Sequence, residues 1–202
     1  ARILLYLGGT AGSTGEVQQY FSQSKKAAFK AVELAPEAAD TQSTLGQVLF
    51  SSSLDVRGAK APFDKSIELD NRDPVVLARA ATFFTMTGQD SKAQDAIKRA
   101  RELDPLNLTL WRISGLNHYS AGRFQQAADA YAGIISVNPA YRGSYKGWSF
   151  ALYYLNDPER ALSTCLKEKD EYDNLTCRAI LNFKLGDAGE AKKAMEELKA
   201  KF

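Results

Sequence analysis

The stretch LTLWRISGLNHYSAGRFQQAADAYAGIISVNP, Leu108 to Pro139, decides the fold. Trp111, Ser114, Gly115 and His118 recur at the three- and four-residue spacing that lines one side of a helix. Gly122 breaks that helix, Ala127, Tyr131 and Ile134 repeat the spacing, and Pro139 ends it. The stretch therefore reads as helix, tight turn, helix, stop. Pro105 to Pro139, Ala93 to Ala127, Ile97 to Tyr131 and Ala100 to Ile134 are all steps of 34 residues, and Ala161 and Cys165 follow Ala127 and Tyr131 by the same step. A unit that recurs at a fixed period buries its apolar side only by stacking on its neighbours, so the chain reads as one array, and function is sought on the array's surface.

Working outward, the array divides into units at about 1–36, 37–73, 74–107, 108–141, 142–170 and 171–202. The first looks incomplete: an apolar piece to Leu7, a loop of small residues from Gly8 to Gly15, then a helix towards Leu34 that Pro36 stops. In the second, Ser51 to Asp55 reads as a loop and Pro62 sits early in the following helix. The fifth unit's second helix is cut short by about Asp170, which brings the sixth unit in about four residues early.

Composition excludes several classes. The 26 basic and 24 acidic residues nearly cancel, so there is no net-charge footprint for nucleic acid, and a protein partner is the better expectation. No apolar run approaches the roughly 20 residues that a membrane helix needs. The chain opens at Ala1 in an apolar segment with no basic region before it, which reads as a boundary inside a larger protein. Cys165 and Cys177 lack metal-ligand spacing and read as buried helix thiols, with a disulfide conceivable in an oxidising compartment.

The pattern W-x2-(L/S)-G-x2-(Y/H), A-x3-(F/Y), P, carried by Trp111, Gly115, Ala127, Tyr131 and Pro139, resembles the tetratricopeptide repeat (TPR) over nearly the whole chain. The resemblance implies an all-α fold, an α-α superhelix (solenoid) of about six helix-turn-helix units. Small Gly115 and Ala127 then let paired helices approach, and Trp111 and Tyr131 fill the space beside them. The N-terminal run SKKAAFKAVELAP, then TLGQVLF, then LDVRGAKAPFDKSIEL further resembles the TPR segments of bacterial TolB-like, winged-helix and cyclase-like regulators. It departs from them at Ser53-Leu54-Asp55-Val56, where they carry a tryptophan-rich loop.

In TPR arrays the first helix of each unit lines the concave face, so partner-binding positions follow from the resemblance. One row holds Phe50, Thr85, Tyr119, Tyr153 and Phe183; a second holds Gln47, Thr82, Leu116, Phe150 and Ile180; a third holds Ser43, Ala78, Arg112, Lys146 and Thr176. Aromatic and aliphatic groups beside two cations suit a peptide with an apolar anchor and an acidic group. The residues expected to bind are Gln47, Phe50, Thr82, Arg112, Leu116, Tyr119, Lys146, Phe150, Tyr153, Ile180 and Phe183. The carboxylate clamp of chaperone-tail receptors needs Lys and two Asn where this chain has Ala78, Thr82 and Ile113, or Arg112, Leu116 and Gly147, so no such clamp is expected.

His118 reads as a packed, hydrogen-bonded helix residue, since no motif pairs it with a nucleophile or carboxylate. No catalytic residue, cofactor or metal is expected, and the Gly8 to Gly15 run lacks the G-K-(S/T) ending of a phosphate loop. The expected partner is a protein or peptide, including another domain of the same polypeptide, with no nucleic acid bound by this segment. A homodimer through the convex face or the array's ends is the alternative. The expected location is cytoplasmic, or else the periplasmic part of a membrane-anchored regulator.

Overall fold

The computed structural model describes all 202 residues. The protein is all-α, 79% helical without strands, as the periodicity requires. Two compact units divide it, Ala1–Pro105 and Leu106–Phe202. The first contains α1 (Arg2–Thr10), α2 (Thr14–Leu34), α3 (Ala39–Ser53), α4 (Val56–Leu69), α5 (Pro74–Met86) and α6 (Asp90–Leu103). The second contains α7 (Leu108–Ser120), α8 (Phe124–Val137), α9 (Ser144–Tyr154), α10 (Pro158–Cys165), α11 (Glu171–Lys184) and α12 (Ala188–Lys201). Consecutive helices pack in pairs, α1 on α2 through to α11 on α12.

The breaks between paired helices have local causes. Gly88, Gly122 and Gly186 adopt φ of 73°, 74° and 85° in three of the turns, a left-handed conformation that glycine enters without a Cβ penalty. Asn156 takes the same role at φ 63°, and Leu54 does so at φ 50°, where a branched side chain is strained. Helix starts are set by side chains that accept the first free N–H groups. Asp73 caps Val75 and Val76 ahead of Pro74, and Asp157 caps Arg160 ahead of Pro158.

Two expected loops are shorter than the sequence suggests. The helix α1 runs through Gly8 and Gly9 to Thr10, because Gly8 is a packing residue: a Cβ there would overlap the Phe21 ring of α2. The helix α3 runs through Ser51 to Ser53, where the Ser52 hydroxyl bonds back to the Val48 carbonyl of its own helix at 2.6 Å instead of pairing in a turn. Pro62 lies well inside α4.

Core packing follows the same rule in both units: a ring from the second helix of a pair lies on a glycine of the first. In the first unit Phe63 is 1% exposed and stacks on Phe83 at 4.7 Å, and a Cβ on Gly46 would come within 2.9 Å of its ring. In the second unit a Cβ on Gly115 would come within 2.9 Å of the Tyr131 ring, and the reverse pairing also occurs, where a Cβ on Gly133 of α8 would come within 3.0 Å of Trp111 of α7. The assignment of these residues to packing therefore holds. No helix is long and apolar enough to cross a membrane.

Candidate partner-binding site

Arg112, Leu116 and Tyr119 lie four and three residues apart on α7, so the helix presents them on one side; Lys146, Phe150 and Tyr153 do the same on α9. Five of these six, all but Tyr153, line one cavity of about 660 Å³ in the second unit. Its other walls are Tyr131 of α8, Tyr141 to Gly143 in the α8–α9 linker, Gly147, and Asp173 of α11. The size lies within the roughly 300–1,000 Å³ of ligand-binding pockets.

The floor is the Tyr131 ring, held between Gly115 of α7 and Gly147 of α9. Burial pushes its phenol up to about 12, with the nearby Arg112 charge acting the other way. The hydroxyl therefore stays protonated at neutral pH and remains a donor. A Cβ on Gly147 would overlap the end of that ring, which cannot retreat because Gly115 lies against it. Gly147→Ala is expected to lower unfolding free energy by about 1–3 kcal/mol in urea denaturation, the range for overpacking. An unchanged midpoint would mean that Tyr131 has room to move.

The charged wall was only partly foreseen. Lys146 pairs with Asp173, whose side chain is 9% exposed, and Arg142 Nε reaches Asp170 at 2.9 Å and Asp173 at 3.4 Å. Buried Glu168 binds this wall to its support: it accepts from Lys169 N at 3.1 Å, Asp170 N at 3.3 Å and Lys146 N at 3.3 Å. Gly143, the N-cap of α9, has no side chain to offer, so Glu168 supplies the missing acceptor and places negative charge at the positive helix end. Arg112 is exposed and makes no hydrogen bond or ion pair within the chain.

At the rim, Tyr119 meets Phe124 and Tyr154 edge-on, each at 5.7 Å, and burial followed by the neighbouring Tyr154 pushes its phenol up to about 12. Tyr153 lies edge-on to Tyr154, and the Lys184 ammonium sits 5.2 Å from the Tyr153 ring, a cation–π distance. Ile180 and Phe183 are exposed on α11 at 38% and 74%. The other three expected residues belong to the first unit. There Phe50 packs edge-on against Phe83 at 5.4 Å, the Thr82 hydroxyl donates to the Ala78 carbonyl of its own helix, and Gln47 is half-buried.

Arg142, Tyr131 and Asp173 were missed as cleft residues. The signal for Asp173 was its place in the first turn of a helix that follows an anomalously short unit. His118 is half-buried and accepts from Arg123 Nε at 3.0 Å, the hydrogen-bonded state expected of it. Cys165 and Cys177 correct an expectation: they are not thiols but a disulfide between α10 and α11, with Cα atoms 6.0 Å apart and both side chains fully buried. The cause is the early end of α10, which lets α11 fold back until the two Cα atoms reach bridging distance.

No protein-family profile matches the chain. The small glutamine-rich tetratricopeptide repeat-containing protein 2 of Mycosarcoma maydis is 32% identical over 96 residues, 48% of this chain; the chain spans 27% of that protein's length. Among solved structures of like fold, PilW, a type IV pilus biogenesis factor, has a TM-score of 0.75 at 14% identity, covering 100% of this chain and 93% of PilW. YrrB, described as a TPR protein with an unusual peptide-binding site, has a TM-score of 0.56 at 18% identity, covering 85% of this chain and 90% of YrrB. Helix pairing, glycine-on-ring packing, the 34-residue period and these likenesses agree on the fold: the chain folds as an array of tetratricopeptide-type helical repeats.

Proposed function

We propose that the chain is a non-catalytic interaction scaffold, and that the cleft between α7, α9 and α11 receives a peptide or a segment of a partner domain. The observation that carries this reading is the cavity of about 660 Å³, in which apolar Leu116 and Phe150 lie beside Arg112, Arg142 and Lys146. Apolar walls with a few fixed polar groups suit a side chain anchored by burial and oriented by charge. A peptide-binding site is described for YrrB, a structure of like fold, which supports the same class of use. The Cys165–Cys177 bridge favours an oxidising compartment, and so the periplasmic reading over the cytoplasmic one. Membership of a bacterial regulator rests on the N-terminal motif resemblance alone.

Selection of a random peptide library on the wild-type chain tests the reading. Selected peptides are expected to lose at least about tenfold in affinity, or about 1.4 kcal/mol, on Leu116→Ala/Phe150→Ala, and to bind Asp129→Ala, on the exposed side of α8, unchanged. Equal binding to the double variant would place the site elsewhere.

A further inference from the structure

The sequence sets two cations, Arg112 and Lys146, on neighbouring first helices, and the structure separates their roles. Lys146 is already engaged by Asp173, which also holds Arg142 together with Asp170. The cleft's one carboxylate is thus spent on two of its three cations. Arg112 has no partner within the chain. Beside it, Tyr131 is 6% exposed, lines the same cavity, and has no hydrogen-bond partner for its hydroxyl. The Tyr131 hydroxyl opens to the cavity close to the unpaired Arg112 guanidinium, so both groups are available to one ligand. The guanidinium only donates and the phenol can donate beside it, so an anion with two acceptor oxygens complements the pair.

We propose that Arg112 and the Tyr131 hydroxyl form a carboxylate seat for a bound peptide, and that Leu116 and Phe150 receive the apolar side chain next to that carboxylate. This rests on the reading of the cleft as a peptide site and names what it selects. The seat is not the chaperone-tail clamp, since it uses no Asn pair and takes its second donor from a second helix. The Lys146–Asp173–Arg142 wall has a separate task. Its charges are mutually satisfied, with Asp170 matching the second cation, so it leaves the ligand's acid to Arg112. The two sources of such a carboxylate are a chain terminus and an acidic side chain.

Four probes distinguish the outcomes, titrated at low salt and followed by NMR of the Arg112 Nε–H and of the α7 and α9 amides. N-acetylphenylalanine carries a terminal carboxylate and N-acetylphenylalaninamide does not. N-acetyl-Phe-Glu-amide carries a side-chain carboxylate and N-acetyl-Phe-Gln-amide does not. At least one acid is expected to bind about tenfold or more tightly than its neutral counterpart, and the pair with the larger gain identifies the source. Arg112→Gln should bring that acid down to the neutral level. Tyr131→Phe, which keeps the ring and its packing, should lower acid binding severalfold and leave neutral binding unchanged.

If acids and amides perturb Leu116 and Phe150 with equal affinity, the carboxylate seat is wrong and the peptide cleft stands. The seat is equally wrong if Arg112→Gln leaves acid binding intact while its amide spectrum remains that of the folded chain. If no probe perturbs α7 or α9, the seat and the cleft reading both fall.

Discussion

Phe63→Ala is expected to lower the unfolding free energy by about 3–5 kcal/mol. The side chain is 1% exposed, stacks on Phe83 at 4.7 Å and lies on Gly46, so its removal leaves a cavity at the meeting of α3, α4 and α5. Those neighbours cannot close it cheaply, because Leu45, Val48, Ala59 and Phe83 are themselves buried and packed. Stability in a repeat array is a sum over units and their interfaces, so the loss should be regional. Both tryptophans, Trp111 and Trp148, lie in the second unit. Urea denaturation followed by helical circular dichroism should therefore show an early transition that tryptophan fluorescence does not share. A loss below about 1 kcal/mol would contradict the packing described.

Reduction of the Cys165–Cys177 bridge is expected to cost about 3 kcal/mol, the chain-entropy value for a closed loop of this length. The bridge spans 12 residues and ties the end of α10 to the middle of α11. With eight residues, α10 is too short to persist without tertiary anchoring. The loop it closes carries Glu168, which caps α9, and Asp170, which holds Arg142, so reduction should loosen the cleft's charged wall as well. The intact chain should gain two hydrogen masses on treatment with reductant under denaturing conditions, and its urea midpoint should fall. An unchanged mass would show that the cysteines are thiols in the native protein.

The fold was legible because its determinants are local and periodic. Gly115, Ala127, Tyr131 and Pro139 recur or have counterparts at fixed spacing, and each does in the structure what its size and backbone allow. Helix ends were less legible. Gly8 reads as a loop residue until Phe21 is seen against it, and Ser51 to Ser53 read as a turn until Ser52 is seen to bond its own helix. Arg112, Leu116 and Tyr119 were legible as one side of α7, as were Lys146, Phe150 and Tyr153 on α9, because helical geometry alone places them together. Of these six, Tyr153 falls outside the cleft.

The partners of these residues were not legible, for a physical reason. Asp173 meets Lys146 and Arg142 only because the unit between them is shortened, so the contact breaks the period that organised the reading. Phe50 shows another limit: its place in the row reads as a groove residue, and the partly buried ring also packs edge-on against Phe83 at the border of the core.

The cleft on α7, α9 and α11 is proposed as the place where this protein takes its partner. Hydrogen–deuterium exchange with a library-selected peptide at saturating concentration tests it most directly. Slowed exchange is expected in α7, in α9 and in the linker through Arg142 and Gly143, with the outer residues of α8 and α10 unchanged. Protection confined to α8 and α10, with α7 and α9 exchanging as in the free chain, would contradict it.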